Sequence, residues 1–259
     1  MDPITSRANP RLKAARRLQA KRHRLREGLF LAEGEDIVEE GLAAGILPVE
    51  SFVAAERPPV GGLLERLERG GPVHAVEDRL LAELGSLGHP ARVIAVFRRD
   101  TLPALDPTAE LGVHLHHVID PGNVGTVVRA AGALGPAYVS LSPGCSDPFS
   151  GKGVRASMGA VFRVPIEAGG EEPPPGPRRI ALVAEGGEPL WDVDLSGRVV
   201  VLVGAERRGL PAELVDACEA RATIPQAPGA ESLNAAAAAT IALYEAVRRG
   251  ANGTSTNPS

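Results

Sequence analysis

Hydrophobic and polar positions fall in short blocks along this chain, switching repeatedly between strand-like runs and helix-like stripes. From residue 10 to 26 the pattern is amphipathic. Leu12, Ala15, Leu18 and Leu25 trace an apolar stripe, arginines fill the other faces, and Thr5-Ser6 before Asn9-Pro10 marks a helix start. Residues 29–32 read as a strand, 36–45 as a short helix, and 51–54 as a second strand before a Pro- and Gly-containing loop. A helix over 63–69, a strand over 73–76, a helix capped by Asp78 and carrying Leu80, Leu81 and Leu84, and a strand over 91–97 follow. This alternation predicts a small layered α/β domain over residues 1–100. A polar segment with Leu102-Pro103 and Asp106-Pro107 predicts a linker at 101–110.

The second half repeats the alternation with longer apolar runs. Residues 113–119 read as a strand, and a helix opens near Asn123 with one arginine, Arg129, inside an otherwise small and apolar stretch. Strands are expected at 137–141, 162–166, 180–184 and 199–203, with a helix over 152–160 and a proline-rich loop at 169–177. Residues 199–203 are continuously apolar, as in a strand buried on both faces, and run straight into Gly204-Ala205-Glu206-Arg207-Arg208-Gly209-Leu210. Strand-to-loop junctions of this kind are where parallel α/β sheets bind ligands. A helix at 211–218 comes next. Ala222-Thr223-Ile224-Pro225, a loop, and Ser232-Leu233-Asn234 then precede an alanine-rich helix to residue 249, with Ser232 as its expected N-cap. The polar residues 250–259 read as a disordered tail.

Charge changes the picture of the first domain. The chain of 259 residues carries a net charge of −4, yet residues 1–28 hold nine basic groups against Asp2 and Glu27, leaving that segment at +7 and the remainder at −11. Such asymmetry points to one local footprint for a polyanion, with Arg7, Arg11, Lys13, Arg16 and Arg17 as candidate contacts to a nucleic-acid backbone. Lys152 and Arg155, set among glycines, join them; a solvated basic helix face is the alternative for both groups. Cys145 and Cys218 are isolated, which suits free thiols in a reducing cytoplasm. No apolar run is long enough to span a membrane, and the basic N-terminus lacks the apolar core of a signal peptide. His114, His116 and His117 suggest a metal, but neighbours on a strand point to opposite faces, so no metal site is expected.

No dinucleotide fingerprint, phosphate loop or hydrolase nucleophile elbow is present. What remains is three glycine-containing loops, at 120–125, 204–210 and 224–233, each expected at the C-terminal end of a strand. Asp120-Pro121-Gly122-Asn123-Val124-Gly125 with Arg129, then Gly204-Ala205-Glu206 with Gly209-Leu210, then Ser232-Leu233-Asn234 resemble, in order and spacing, the three motifs of the SpoU (TrmH-type) RNA ribose 2′-O-methyltransferases of the SPOUT superfamily. Ile4-Thr5-Ser6, Asn9-Pro10 and Leu29 to Gly34 also resemble the L30e-like substrate-binding domain that precedes this fold in many ribosomal-RNA members.

That resemblance implies an α/β parallel-sheet domain over 111–249 with a deep trefoil knot, binding S-adenosylmethionine through Gly204, Glu206, Gly209, Ile224 and Leu233. It implies a homodimer, and Arg129, Asn123, Glu206, Ser232 and Asn234 as the catalytic set. A guanidinium is not deprotonated at ordinary pH, so a role for Arg129 as a clamp on the substrate's phosphate and hydroxyl is easier than one as a base. Two departures are a shortened connection at 171–177 and few β-branched residues after Asn234. Methylation of ribosomal RNA is the leading expectation. A tRNA ribose methyltransferase and a non-catalytic RNA-binding assembly factor remain open.

Overall fold

A computed structural model describes residues 2–86, 91–227, 229 and 232–253. The chain forms two compact units. The first comprises the residues up to Leu102 together with Asp147–Arg163; the second comprises Pro103–Ser146 and the chain from Val164 onward. The excursion at Asp147–Arg163 into the first unit is not among the boundaries read from the sequence.

The first unit is built on a four-stranded sheet of β1 (Leu29–Glu33), β4 (Val93–Arg98), β2 (Glu50–Ala54) and β3 (Val73–Val76), side by side in that order. The β1–β4 and β4–β2 pairs are antiparallel and β2–β3 is parallel. Helices α1 (Pro10–Arg17) and α5 (Asp78–Leu84) contribute Leu12, Ala15, Leu80, Leu81 and Leu84 to a core shared with Phe52 and Ile94. A second aromatic cluster joins Phe30 and Phe97 to Phe149 and Phe162, with Phe97 and Phe162 edge to face at 4.7 Å. Remaining helices are α2 (Lys21–Glu27), α3 (Glu35–Ala43), α4 (Leu63–Gly70) and, from the excursion, α7 (Gly151–Ala156).

The amphipathic segment at the N-terminus is two helices rather than one. Asn9 caps α1 by accepting from Arg11 N at 2.9 Å, and the chain breaks after Leu18 before α2 starts. The break shifts the helical phase, so Leu25, expected on the apolar stripe, is 56% exposed while Arg24 is buried. Arg24 Nη1 donates to the carbonyls of Leu18 and Gln19, closing the end of α1, and its Nε donates to Asp147 at 2.8 Å. Removing one partner of a buried ion pair leaves an uncompensated charge, typically costing about 3–5 kcal/mol. Arg24→Ala should therefore lower the urea midpoint sharply, and Asp147→Ala should do the same. Asp78, expected as the cap of α5, is its first residue and binds Glu56 N and Arg57 Nε instead; Glu77 is the N-cap residue.

The second unit is a seven-stranded sheet in the order β7 (Ile166–Ala168), β6 (Ala137–Leu141), β5 (Leu111–Leu115), β10 (Val199–Val203), β8 (Arg178–Leu182), β11 (Ala220–Thr223) and β9 (Glu188–Pro189), with every pair parallel. β10 is central and buried along its whole length, as its apolar run predicts. Helices α6 (Pro121–Leu134) and α9 (Ala235–Gly253) pack on one another, Val124, Val127, Val128 and Ala131 of α6 being buried along with Ala235, Ala236, Ala239 and Ala242 of α9. Alanines at the start of α9 allow this close approach. A short helix, α8 (Ala212–Asp216), follows the loop after β10.

Several expectations are corrected. The strand expected at 113–119 stops at Leu115, and the helix after it starts at Pro121. The expected strand at 162–166 is a 3-10 turn over Ala160–Phe162, because Met158 and Gly159 take left-handed backbone angles of 49° and 80° and turn the chain. Val161 and Phe162 are apolar because they fill the core of the first unit, not because they are extended. The helix expected over 152–160 ends at Ala156, and the one expected over 211–218 is Ala212–Asp216. Helix α9 continues to Gly253, four residues into the expected tail; residues 254–259 lie outside the described residues.

Candidate active site

The site assembles at the C-terminal ends of β8, β10 and β11. Val203 ends β10, and Gly204 begins a loop that folds back on itself, with Gly209 N donating to Ala205 O at 2.8 Å. A Cβ on Gly204 would lie 2.1 Å from the carbonyl carbon of Gly209, so the two backbones can approach only if residue 204 has no side chain. Gly209 itself sits at φ +64°, the left-handed region that glycine enters without strain.

The motif residues at 123, 206 and 234 meet in a chain of hydrogen bonds. Asp120 accepts from Gly122 N at 2.6 Å and Asn123 N at 3.1 Å, capping α6, while Pro121 occupies the first turn where no N–H is needed. Asn123 Nδ2 donates to Glu206 Oε1 at 2.5 Å, and Asn234 Nδ2 donates to Asn123 Oδ1 at 3.0 Å. Asn234 Oδ1 in turn accepts from Ala236 N at 2.9 Å and Ala237 N at 3.3 Å. Asn234 is thus the residue that caps α9, and the expected N-cap, Ser232, lies two residues upstream as exposed loop. Three segments far apart in sequence are tied into one polar relay.

Beside that relay is a cavity of about 360 Å³, lined by Gly204, Glu206, Gly209, Ile224, Ser232 and Leu233 together with Leu182 and Val203. All five cofactor candidates therefore border one space. Arg207, Arg208 and Gln226 also line it, although the sequence reading gave them no role. Their position in the same two loops was the available signal. Leu182, Val183 and Ala184 were missed as well; they follow from β8 being the neighbour of β10, which only the strand order reveals.

Arg129 is not part of the cavity. It stands exposed on α6 and makes no ion pair or hydrogen bond with any described residue. Exposed apolar side chains occur on α9, with Tyr244 55% and Ile241 39% exposed, and just before α6, with Ile119 72% exposed.

The candidate RNA contacts lie in the first unit, and several are already paired. Arg7 and Arg16 approach Glu83 at 3.2 and 3.8 Å, Arg11 approaches Glu50 at 3.5 Å, and Arg155 binds Ser86 and, at 3.4 Å, Glu33. Lys13, Arg17 and Lys152 are exposed. The cationic face is therefore partly neutralised by its own domain.

The histidines depart from expectation. His114, on β5, is buried and shares a 2.9 Å hydrogen bond between Nδ1 and Ser140 Oγ. Burial, reinforced by the neighbouring His116 charge, lowers its pKa to about 4. The unfolded state, near 6.5, binds more protons between those values, so this contribution to stability is complete above pH 6.5 and is lost as pH falls towards 4, roughly 3 kcal/mol in all. Urea midpoints measured from pH 7 to pH 4 should show that decline, flattened in His114→Gln. His116 and His117 lie beyond the end of β5, and His117 takes a left-handed φ of 55°. Strand alternation does not apply there. The two rings stack in parallel with centroids 4.4 Å apart. Burial, then the charge of His117, holds the His116 pKa below its ordinary value.

Residues 110–244 match the model of the SpoU rRNA Methylase family, and residues 9–95 match that of the MRM3-like substrate binding domain. An uncharacterized tRNA/rRNA methyltransferase of Synechocystis is 35% identical, with 95% of this chain and 93% of the relative aligned. The 23S rRNA (guanosine(2553)-2′-O)-methyltransferase RlmP of Bacillus subtilis is 30% identical over 94% of this chain and 98% of its own length. Among solved structures, the AdoMet-bound rRNA methyltransferase of Sinorhizobium meliloti superposes with a TM-score of 0.83 at 32% identity, covering 96% of this chain and 98% of that one.

Proposed function

The chain belongs to the SpoU family of RNA methylases, and from that premise we propose that it methylates a ribose 2′-hydroxyl of ribosomal RNA, using S-adenosylmethionine. The observation that carries this reading is the relay from Glu206 through Asn123 to Asn234 beside a cavity bordered by Gly204, Gly209, Ile224 and Leu233. At about 360 Å³ the cavity falls within the roughly 300–1,000 Å³ that small ligands occupy. Its mix of apolar walls at Leu182, Val203, Ile224 and Leu233 with polar Glu206, Gln226 and Ser232 suits a nucleoside joined to an amino-acid tail. When bound, S-adenosylmethionine supplies a methyl group activated by its sulfonium.

The chain's own residues have three tasks. Gly204 and Gly209 shape the loop after β10 at the cofactor's edge of the cavity, and Asn234 ties the neighbouring Leu233 to the start of α9. Asn123, locked between Glu206 and Asn234, and Ser232 at the cavity edge position the substrate ribose. Arg129 donates hydrogen bonds to the phosphate and the hydroxyl oxygen, stabilising negative charge as the proton leaves to a phosphate oxygen or to solvent. Arg207 and Arg208 add positive charge at the cavity for the RNA backbone.

An Arg129 that stands apart from the cavity fits a homodimer in which it serves the partner's site, and exposed Ile241 and Tyr244 on α9 supply apolar surface for that contact. We assign residues 1–100 to substrate binding and residues 111–249 to catalysis, with Lys152 and Arg155, from the Asp147–Arg163 segment of the first unit, joining Arg7, Arg11, Lys13, Arg16 and Arg17 as phosphate contacts. The same reading makes the loops after β10 and β11 parts of a deep trefoil knot. It places the protein in the cytoplasm, where the thiols of Cys145 and Cys218 stay reduced. Among the described residues, no helix is long and apolar enough to cross a membrane.

Competition distinguishes the RNA class. With unmethylated ribosomal RNA and tRNA mixed and labelled cofactor supplied, label is expected in the ribosomal fraction. Label confined to tRNA would replace the substrate assignment, and cofactor binding without transfer to either would point to an assembly factor.

A further inference from the structure

The three residues His116, His117 and Glu171, all in the second unit, each bring one potential ligand atom within 4.8 Å of the other two. We propose that they form a binding site for a single first-row divalent transition metal, with zinc as the reference ion. Two imidazoles and one carboxylate are a donor set suited to zinc and its neighbours, and three protein ligands leave a fourth position for water.

Several features of the backbone bring these groups together. Strand β5 ends at Leu115, and His116 N donates to Val203 O at 2.9 Å, which fixes the first ligand to the sheet. His117 then turns into the left-handed region at φ 55°, which places its ring parallel to that of His116, with an interplanar angle of 11°. Few residues other than glycine enter the left-handed region, and histidine is among those that do so more readily, so the turn at His117 sets its ring direction at modest cost. The ring of His117 lies against Gly144, where a Cβ would come within 2.7 Å of it. The backbone N–H of His117 donates to Ser142 Oγ at 3.0 Å. Glu171 arrives from the connection between β7 and β8.

An unsatisfied atom supports the same reading. His116 Nδ1 is shut off from solvent and has no hydrogen-bond partner among the described residues. A buried ring nitrogen without a partner costs free energy that a ligand can recover. Zinc–nitrogen and zinc–oxygen bonds of about 2.0–2.2 Å require the donors to close up from their present spacing. His117 and Glu171 are exposed and can turn on their side-chain bonds, whereas His116, half-buried, is the fixed member. A bound ion would join the segment leading to Asp120, the cap of α6, to the β7–β8 connection, and so stiffen the approach to the first motif.

The test uses full-length protein with any affinity tag removed, stripped by chelator and titrated with zinc by calorimetry and with cobalt by visible absorption. One ion per chain is expected, with a cobalt d–d spectrum of low-symmetry nitrogen–oxygen coordination and a rise in the thermal midpoint. His117→Gly relieves the left-handed backbone and so keeps the fold, and Glu171→Gln changes an exposed side chain. Each should weaken binding by about tenfold or more. Absence of saturable binding would overturn the proposal, and so would affinity unchanged in both variants, which would place the ion elsewhere.

Discussion

Arg129→Ala should lower methyl transfer to RNA by about 10²–10³-fold, the usual loss when one preorganised donor to a developing oxyanion is removed. Cofactor affinity and the urea midpoint should stay close to those of the parent chain. Arg129 is exposed on α6, pairs with no described residue and borders no part of the cavity, so its removal takes away neither packing nor a cofactor contact. Under the proposed function, this arginine, unpaired among the described residues, acts when RNA is bound. Arg129→Lys should recover little of the rate, since a lysine cannot present two parallel donors to a phosphate and a hydroxyl. Isothermal titration for the cofactor and single-turnover transfer measured on one preparation separate the two effects. Equal losses in both would assign Arg129 to the cofactor site.

Gly204→Ala should have the opposite signature, with cofactor binding lost first. The added Cβ would lie 2.1 Å from Gly209 C and 2.4 Å from Leu210 N, atoms of backbone that cannot swing aside. Overpacking of this kind costs roughly 1–3 kcal/mol. If the loop relaxes by opening, the lining at Gly204, Glu206 and Gly209 moves as one piece, and affinity falls about ten- to hundredfold. Glu206 would also leave Asn123, so transfer is expected to fall further than binding. A calorimetric titration showing parent-like affinity in this variant would mean that the 204–209 loop does not shape the cavity.

The two variants expose what the sequence could and could not convey. Strands such as Val199–Val203 and Ala137–Leu141 were legible because burial on both faces leaves no room for polar side chains. The motif loops were legible through their glycines, whose spacing reports close backbone approach. Contacts across the sheet were not. Leu182 lines the cavity because β8 lies next to β10, a neighbour relation set by strand order rather than by local pattern. Local signals also misled where tertiary packing overrode them. Leu25 matched a helical stripe, yet the break after Leu18 turned Arg24 inward to meet Asp147, 123 residues away. Phe162 looked like strand and is core. Ser232 looked like a cap, yet Asn234 takes that place because its side chain serves α9 and Asn123 at once. His116 and His117 were judged by strand alternation, which stopped one residue too soon to apply.

In the proposed function, the relay and cavity of the second unit direct a methyl group to a ribose hydroxyl. The measurement that tests it most directly is the identity of the labelled nucleoside after complete digestion of ribosomal RNA treated with this protein and methyl-labelled cofactor. Label in a 2′-O-methylnucleoside, with the adjoining linkage resistant to alkali, is the predicted result. Label on a base would mean that the site does not act on a ribose hydroxyl.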